Sequence, residues 1–276
     1  MSTPEKLKGP ALLQHYAGRL RSRMGAFFPG SHAIFRGHDL HRDLKDMDWI
    51  SLYLFSITGR RFSAQEVELL QAVWTYTSYP DVRLWNNRVV GLAGSARSTG
   101  NLALSGGLAV SEAAIYGRGI DIRAIDFLQR TQKAVAAGGS LEACVHDEMA
   151  QHRSIAGYGR PLISGDERIP HLLTLMEKLG WEQGPHQRLA WELDRWLQQS
   201  RWQKRINYAG IVAAIGADLG FSPREYYLYV FAGFLAGMIP VYLEAAERPE
   251  GTLYVGPCSD ISYEGPVPRA WPAPPA

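Results

Sequence analysis

The sequence predicts an all-α protein, and three observations carry that expectation. Apolar residues recur at helical spacing through most of the 276 residues, two capping boxes open such runs, and apolar–polar alternation is nearly absent. The composition permits a large core, with 46% hydrophobic and 20% charged residues, a globular balance that excludes wholesale disorder. Lys and Arg number 29 against 27 Asp and Glu, a formal charge of +2. That balance supplies no general pull toward nucleic acid or an anionic membrane, so neither is expected as a partner.

Taken in order, Asp48 to Thr58 reads as a helix stopped by Gly59. Ser63-Ala64-Gln65-Glu66 is a capping box ahead of Leu69, Leu70, Val73 and Trp74. Leu102 to Tyr116, Ile122 to Ala136, Leu141 to Ile155 and Ile169 to Leu179 follow the same period, with Gly117 and Gly180 as expected stops. Leu189, Leu193, Trp196 and Leu197 form the stripe of another helix. After Gly220, Ser222-Pro223-Arg224-Glu225 is a second capping box with Pro at the first helical position. It opens Tyr226 to Leu243, a run without a charge at the lower edge of membrane-spanning length. Gly233, Gly237, Pro240 and the tyrosines, whose hydroxyls need partners, favour a buried helix in a large α-domain over a membrane span. Leu253 to Val255 and Ile261 to Tyr263, around Gly256-Pro257, are the one expected small hairpin or pair of extended stretches.

Cys144 and Cys258 make neither a disulfide framework nor a Cys-rich zinc site. The first ten residues lack the apolar core of a signal peptide, so a cytoplasmic protein with reduced thiols is expected. Cys144, Glu148 and His152 fall on one helix face, and His38 and His41 stand close together. With no matching cluster elsewhere, a solvated or supporting role is expected for the first set and a polar turn before a helix for the two histidines, and no metal. Gly91 to Gly100 has the small residues of a close helix contact and no Gly-Lys-Ser/Thr of a phosphate loop. Gly233 and Gly237 carry the same meaning. Trp202, Lys204 and Arg205 mix aromatic and basic character on too small a scale for nucleic acid. Gly157-Tyr158-Gly159-Arg160-Pro161 is more informative: two glycines allow close approach, and Arg160 and Arg168 have forks suited to carboxylate or phosphate, or to surface salt bridges.

Read together, these pieces resemble the citrate synthase superfamily over about residues 34 to 266, nearest in length to the citryl-CoA lyase module that also forms the C-terminal part of ATP-citrate lyase. Ile34-Phe35-Arg36-Gly37-His38-Asp39-Leu40 looks like the family's opening "tyrosine-arginine-glycine", and Trp49 to Arg61 like the helix after it. Ser105-Gly106-Gly107 stands for "leucine-histidine-glycine-glycine". Ala156-Gly157-Tyr158-Gly159-Arg160 stands for "glycine-phenylalanine-glycine-histidine-arginine", and Asp166-Glu167-Arg168 for "aspartate-proline-arginine". Ile206-Asn207-Tyr208-Ala209-Gly210 looks like "aspartate-phenylalanine-tyrosine-serine-glycine". Gly237 to Glu244 and Tyr263-Glu264-Gly265-Pro266 look like the two closing motifs.

The resemblance implies a large helical core (34–121 and 180–266), a small lobe (122–179), an N-terminal helical arm (1–33) and a flexible tail (267–276). It implies a homodimer and chemistry next to a CoA thioester, with no permanently bound cofactor. The family's two histidines and its aspartate base are replaced, at the corresponding positions, by Ser105 or a neighbour, Arg160, and Ile206 with Asn207 beside it. Asn is no ordinary general base and Arg stays protonated, so ordinary citrate synthase activity is not expected. Phe234 and Val255 stand where the family grips a dicarboxylate with arginines. The expected catalytic residues are Arg160, Asn207 and Arg83. Asn86, Asn87, Ser105, Gly157, Tyr158, Gly159 and Arg168 are expected to bind a small anionic carboxylate or acyl-CoA. The alternative is a non-catalytic homologue that binds a ligand or partner.

Overall fold

A computed structural model describes residues 8–18, 20–113, 117–160 and 165–271. The fold is helical, as expected, with twelve α-helices and one small sheet among the described residues. α1 (Gly9–Tyr16) precedes three short strands, β1 (Gly25–Phe28), β2 (His32–Phe35) and β3 (His38–Asp39), antiparallel in chain order. Among its described residues the N-terminal arm is thus helical only in α1. Gly25 lies opposite Phe35, where a side chain would run into the Ile34 carbonyl.

The remaining helices are α2 (Trp49–Thr58), α3 (Ala64–Thr77), α4 (Trp85–Ser95), α5 (Gly100–Val110), α6 (Arg118–Ala136), α7 (Leu141–His152), α8 (Arg168–Lys178), α9 (Pro185–Gln199), α10 (Tyr208–Asp218), α11 (Pro223–Val230) and α12 (Leu235–Glu247). Their ends follow the sequence signals closely. Asp48 caps α2 by accepting from the Ser51 amide, and Gly59 closes it in the left-handed conformation. In both capping boxes the serine and glutamate exchange bonds with each other's amides: Ser63 with Glu66 and Ser222 with Glu225.

Four expectations are corrected. Gly117 opens α6 instead of closing the helix before it, which ends at Val110; residues 114–116 of the expected run lie outside the described residues. The predicted helix Leu141 to Ile155 stops at His152, where Arg153 turns left-handed. The long apolar helix is interrupted by a 3-10 turn at Phe231–Phe234, around Gly233, a residue that costs about 1 kcal/mol inside an α-helix. The expected C-terminal strands are 3-10 turns instead, Thr252–Tyr254 and Cys258–Asp260. There Leu253 folds back onto Gly91 of α4, so packing curls a segment that finds no partner strand. By length and composition Pro223–Glu247 is apolar enough to cross a membrane; 44% of its most apolar window is buried in protein. Of the expected flexible tail, residues 267–271 are exposed and carry no regular structure; 272–276 lie outside the described residues.

The chain divides into two compact units, Met1–Tyr76 with Ala114–Gly233, and Thr77–Ala113 with Phe234–Ala276. Residues 122–179, expected as a small lobe, lie in the first unit together with 180–233. At the centre of that unit is α10, on which every residue from Gly210 to Ala217 is buried. α6 and α9 pack against it, and α11 packs against α6. Small residues make this possible: Gly216 leaves space for the ring of Tyr226, and Ala213, Ala214 and Ala217 present little bulk. Each Ile or Val fully buried here contributes on the order of 1.5–3 kcal/mol. Fully buried Tyr229 donates its hydroxyl to the Leu70 carbonyl at 2.7 Å. In the second unit α4 packs against α5 and α12. Gly94 and Gly107 are the contact points, facing Ala245 and Val90, the close helix packing expected of the small-residue stretch.

One contact in the first unit tolerates no side chain. Gly157 lies in the left-handed region at φ 86°. A β-carbon on it would sit 2.5 Å from Cα of Gly210, and one on Gly210 would meet the Gly157 carbonyl. Gly210→Ala should therefore destabilise the protein by about 1–3 kcal/mol, since backbone must shift to admit the methyl. Urea unfolding followed by circular dichroism measures this; an unchanged midpoint would contradict it.

Candidate functional site

The glycine contact joins two stretches, 157–160 and 205–208, that sequence reading treated separately. Tyr158 and Ile206 form an isolated antiparallel bridge. The Gly159 amide donates to the Arg205 carbonyl at 2.7 Å, and the Asn207 amide to the Gly157 carbonyl at 2.9 Å. Gly159, at φ 90°, turns the chain beyond the bridge. Six of the expected site residues, Gly157, Tyr158, Gly159, Arg160, Arg168 and Asn207, meet around this crossing.

Asn207 is the N-cap of α10. Its Oδ1 accepts from the Gly210 amide at 3.2 Å and its Nδ2 donates to the Gly159 carbonyl at 2.9 Å. Both ends of the amide therefore hold the crossing together. Asp166 satisfies the next amide of the helix, Tyr208 N, at 2.9 Å. It also accepts from Arg168 Nε at 2.9 Å and Nη2 at 2.8 Å, and the Arg168 guanidinium lies 4.4 Å above the Tyr208 ring. Burial works against the charge on Asp166. The bonds and charge of Arg168, together with the Tyr208 amide, outweigh it and hold the carboxyl below its ordinary range.

Arg160 donates through Nη1 to the Gly165 carbonyl at 2.8 Å and to Glu167 Oε2 at 2.5 Å. The arginine side chain is 26% exposed and the glutamate 57%, so water reaches this pair. The candidate anion-binding fork thus carries a carboxylate from its own chain. Lys204 borders the same place, with its methylenes against Gly159. Burial, reinforced by the nearby Asp194 carboxylate, pushes the Tyr158 phenol well above its usual value. Its hydroxyl donates to the Ala190 carbonyl at 2.9 Å.

Asp194 is the residue that sequence reading missed. It is buried on α9 and accepts from the Ile206 amide at 2.6 Å and from Gln198 Nε2 at 2.7 Å. The available signal was a carboxylate on the buried stripe, one turn after Ala190 and beside Leu193.

The other expected site residues belong to the second unit. Arg83 is 87% exposed and forks onto Asp81, with Nη2 to Oδ2 at 2.7 Å, which brings that carboxyl down to about 2. Asn86 and Asn87 are buried and bonded within their own unit: Asn86 Nδ2 to Ser111 Oγ at 3.1 Å, and Asn87 Nδ2 to the Tyr79 and Asp81 carbonyls at 2.7 and 3.0 Å. Ser105 lies exposed on α5. Phe234 packs against Trp85, and Val255 is exposed. Of the candidate metal ligands, Glu148 is buried and held by Arg123 at 3.2 Å and Arg130 at 3.1 Å; His38 packs edge-on against Phe55. Among the described residues no three His, Cys, Asp or Glu side chains come together as a metal site.

No protein-family model and no curated protein matches the sequence. Solved structures do match the fold. The citryl-CoA lyase of Hydrogenobacter thermophilus superposes with a TM-score of 0.79 at 18% identity, over 92% of this chain and 97% of that one. The ATP citrate lyase of Methanothrix soehngenii, solved with citrate and coenzyme A, gives 0.73 at 19% identity over 96% of this chain. The chain spans about half of that protein's length, 46%. Citrate synthase from Thermoplasma acidophilum gives 0.62 at 16% identity, over 82% of this chain and 59% of that one. The chain therefore has a citrate synthase-like helical fold, most like that of the citryl-CoA lyase among these three.

The Asp166 geometry makes a prediction about pH. A carboxyl held below its unfolded value stabilises the fold above that value, about pH 3.9, and loses this contribution as pH falls through the lower, folded value. Asp166→Asn should cost on the order of 1–3 kcal/mol at pH 7 and flatten the loss of stability below about pH 4. Urea midpoints measured at pH 7 and across the acid range test both parts; equal slopes for the two proteins would refute the assignment.

Proposed function

We propose that the chain binds an anionic carboxylate carried on a CoA thioester, and makes or breaks a carbon–carbon bond next to that thioester. The observation that carries the reading is the meeting of Arg160, Arg168 and Asn207 at the Gly157–Gly210 crossing, in a fold shared with proteins solved with citrate, coenzyme A and citryl-CoA. In the cleavage direction the electron pair of the broken bond passes to the carbon beside the thioester, and its negative charge to the thioester oxygen. The substrate's hydroxyl loses its proton to water as the carbon that bears it becomes a ketone carbonyl, and the enolate is reprotonated at the carbon beside the thioester. Arg160 would stabilise the developing charge as a fixed cation, without transferring a proton. A homodimer and a cytoplasmic location belong to the same proposal.

Ordinary condensation of acetyl-CoA with oxaloacetate is not part of it, because neither Asn207 nor Arg160 has the chemistry of an aspartate base or a histidine acid. A second reading, a ligand-binding protein without turnover, has one observation in its favour. Both ends of the Asn207 amide are occupied within the fold, and Arg160 already holds Glu167.

Thermal shift with CoA, acetyl-CoA and citrate separates binding from its absence. A ligand at 100 times its Kd should stabilise by about 2.7 kcal/mol. Formation of oxaloacetate and acetyl-CoA from citryl-CoA, the two products of the carbon–carbon cleavage, then separates the enzyme from the binding protein. With acetyl-CoA and oxaloacetate a thiol-release assay should give no turnover, and robust turnover would disprove the reassigned roles. Arg160→Ala should lower carboxylate affinity at least about tenfold with little change in melting temperature, and Arg160→Lys should recover only part, since the fork is lost. A lowered melting temperature with unchanged affinity would make Arg160 a structural ion-pair residue.

A further inference from the structure

Beside the crossing lies an open cleft of about 380 Å³ that the reading above does not use. Its walls are Ile169, Pro170 and Leu173 of α8, Trp191 of α9, and Ile206. Leu173 and Trp191 are packed against the core yet keep part of their surface free. The volume falls within the range of small-ligand sites.

The polar content of the cleft is sparse. Asp166 contributes to the lining, but its oxygens are taken by Arg168 and the Tyr208 amide. The other charged lining residue is Arg205. Its side chain is exposed, and among the described residues its guanidinium has no hydrogen-bond or ion-pair partner. Its backbone, by contrast, is fixed on both sides. The Arg205 carbonyl accepts from Gly159, and the following amide, Ile206 N, is held by buried Asp194 at 2.6 Å. A free planar fork on a fixed backbone, at the edge of an apolar cleft, matches a carboxylate attached to an apolar body.

We propose that this cleft binds a free monocarboxylic acid with an apolar chain or ring, its carboxylate on Arg205 and its body against Leu173, Trp191 and Ile206. Other classes fit less well. A polycarboxylate would have to place further charges against aliphatic and indole surface, at a large desolvation cost. An organic cation would meet Arg205. A short acid such as acetate would leave the apolar walls uncovered and forgo the larger part of the binding energy.

Calorimetry with octanoate, acetate and octylamine tests the site on the full chain. Octanoate should bind saturably, and acetate and octylamine should not. Arg205→Gln should weaken octanoate at least about tenfold, as expected for loss of a charge-assisted pair. Pro170→Glu should weaken it comparably by setting a carboxylate at the rim, in the first turn of α8 where a negative charge suits the helix. Both side chains are exposed, so melting temperatures should hold. Absence of octanoate binding, equal affinity in Arg205→Gln, or equal binding of octylamine would each overturn the proposal. The response to CoA, measured on the same preparations, reports separately on the thioester reading, which stands or falls without this cleft.

Discussion

Everything proposed for the first unit depends on the bare contact of Gly157 with Gly210. Because neither residue has a side chain, the loop after α7 lies directly on the start of α10. Main-chain groups can then bond across the gap, Gly159 to Arg205 and Asn207 to Gly157. Those bonds fix the directions of Arg160, Asn207 and Arg205. A methyl group at either glycine would lift the loop by enough to break them, since hydrogen bonds weaken steeply with distance and angle. The chemistry of the site is thus set by two residues that carry none.

A second constraint follows from the helical architecture. A short helix leaves amides unpaired at its start and carbonyls unpaired at its end. Here charged side chains from elsewhere in the chain close several of these ends, with the sign the helix dipole requires. Asp218 accepts from the His186 and Gln187 amides at the start of α9, as Asp166 does from Tyr208 at the start of α10. Arg36 donates to the Ser56 and Ile57 carbonyls at the end of α2, and Arg60 to Leu219 and Gly220 beyond α10. Arg97 does the same for Ala246 and Arg248 in the second unit. Several arginines of a nearly neutral chain are thereby committed to architecture and leave few for ligands.

The sequence was legible wherever the physics is local. Ser63–Glu66 and Ser222–Glu225 mark helix starts within four residues, and Gly59, Gly180 and Gly220 mark stops in the same way. The crossing was readable only as two separate motifs, because the bond between Asn207 and Gly159 leaves no trace in either segment alone. The strands of residues 25–39 were missed because Gly25–Phe28 and His32–Phe35 are short and do not alternate in burial. The break at Phe231–Phe234 was missed because the flanking residues keep the helical period through it. Arg160 was singled out for its fork, but nothing in its neighbourhood of sequence said that Glu167 would occupy it. Asp194 was passed over because a carboxylate beside Leu193 reads as solvated until Ile206 is placed opposite.

The order in which such a molecule assembles follows from that same crossing. Gly157 and Gly210 are about fifty residues apart, and closing a loop of that length costs roughly (3/2)RT ln n, about 3.5 kcal/mol, before any contact repays it. The helices on either side need only neighbours a few positions away and form on far shorter timescales. A collapsed chain can therefore hold most of its helices while Arg160 and Asn207 are still strangers. The amides of Gly159 and Asn207, donors across the gap, become slow to exchange with solvent deuterium only when that last loop has closed, which makes them local clocks for the appearance of the site rather than of the fold.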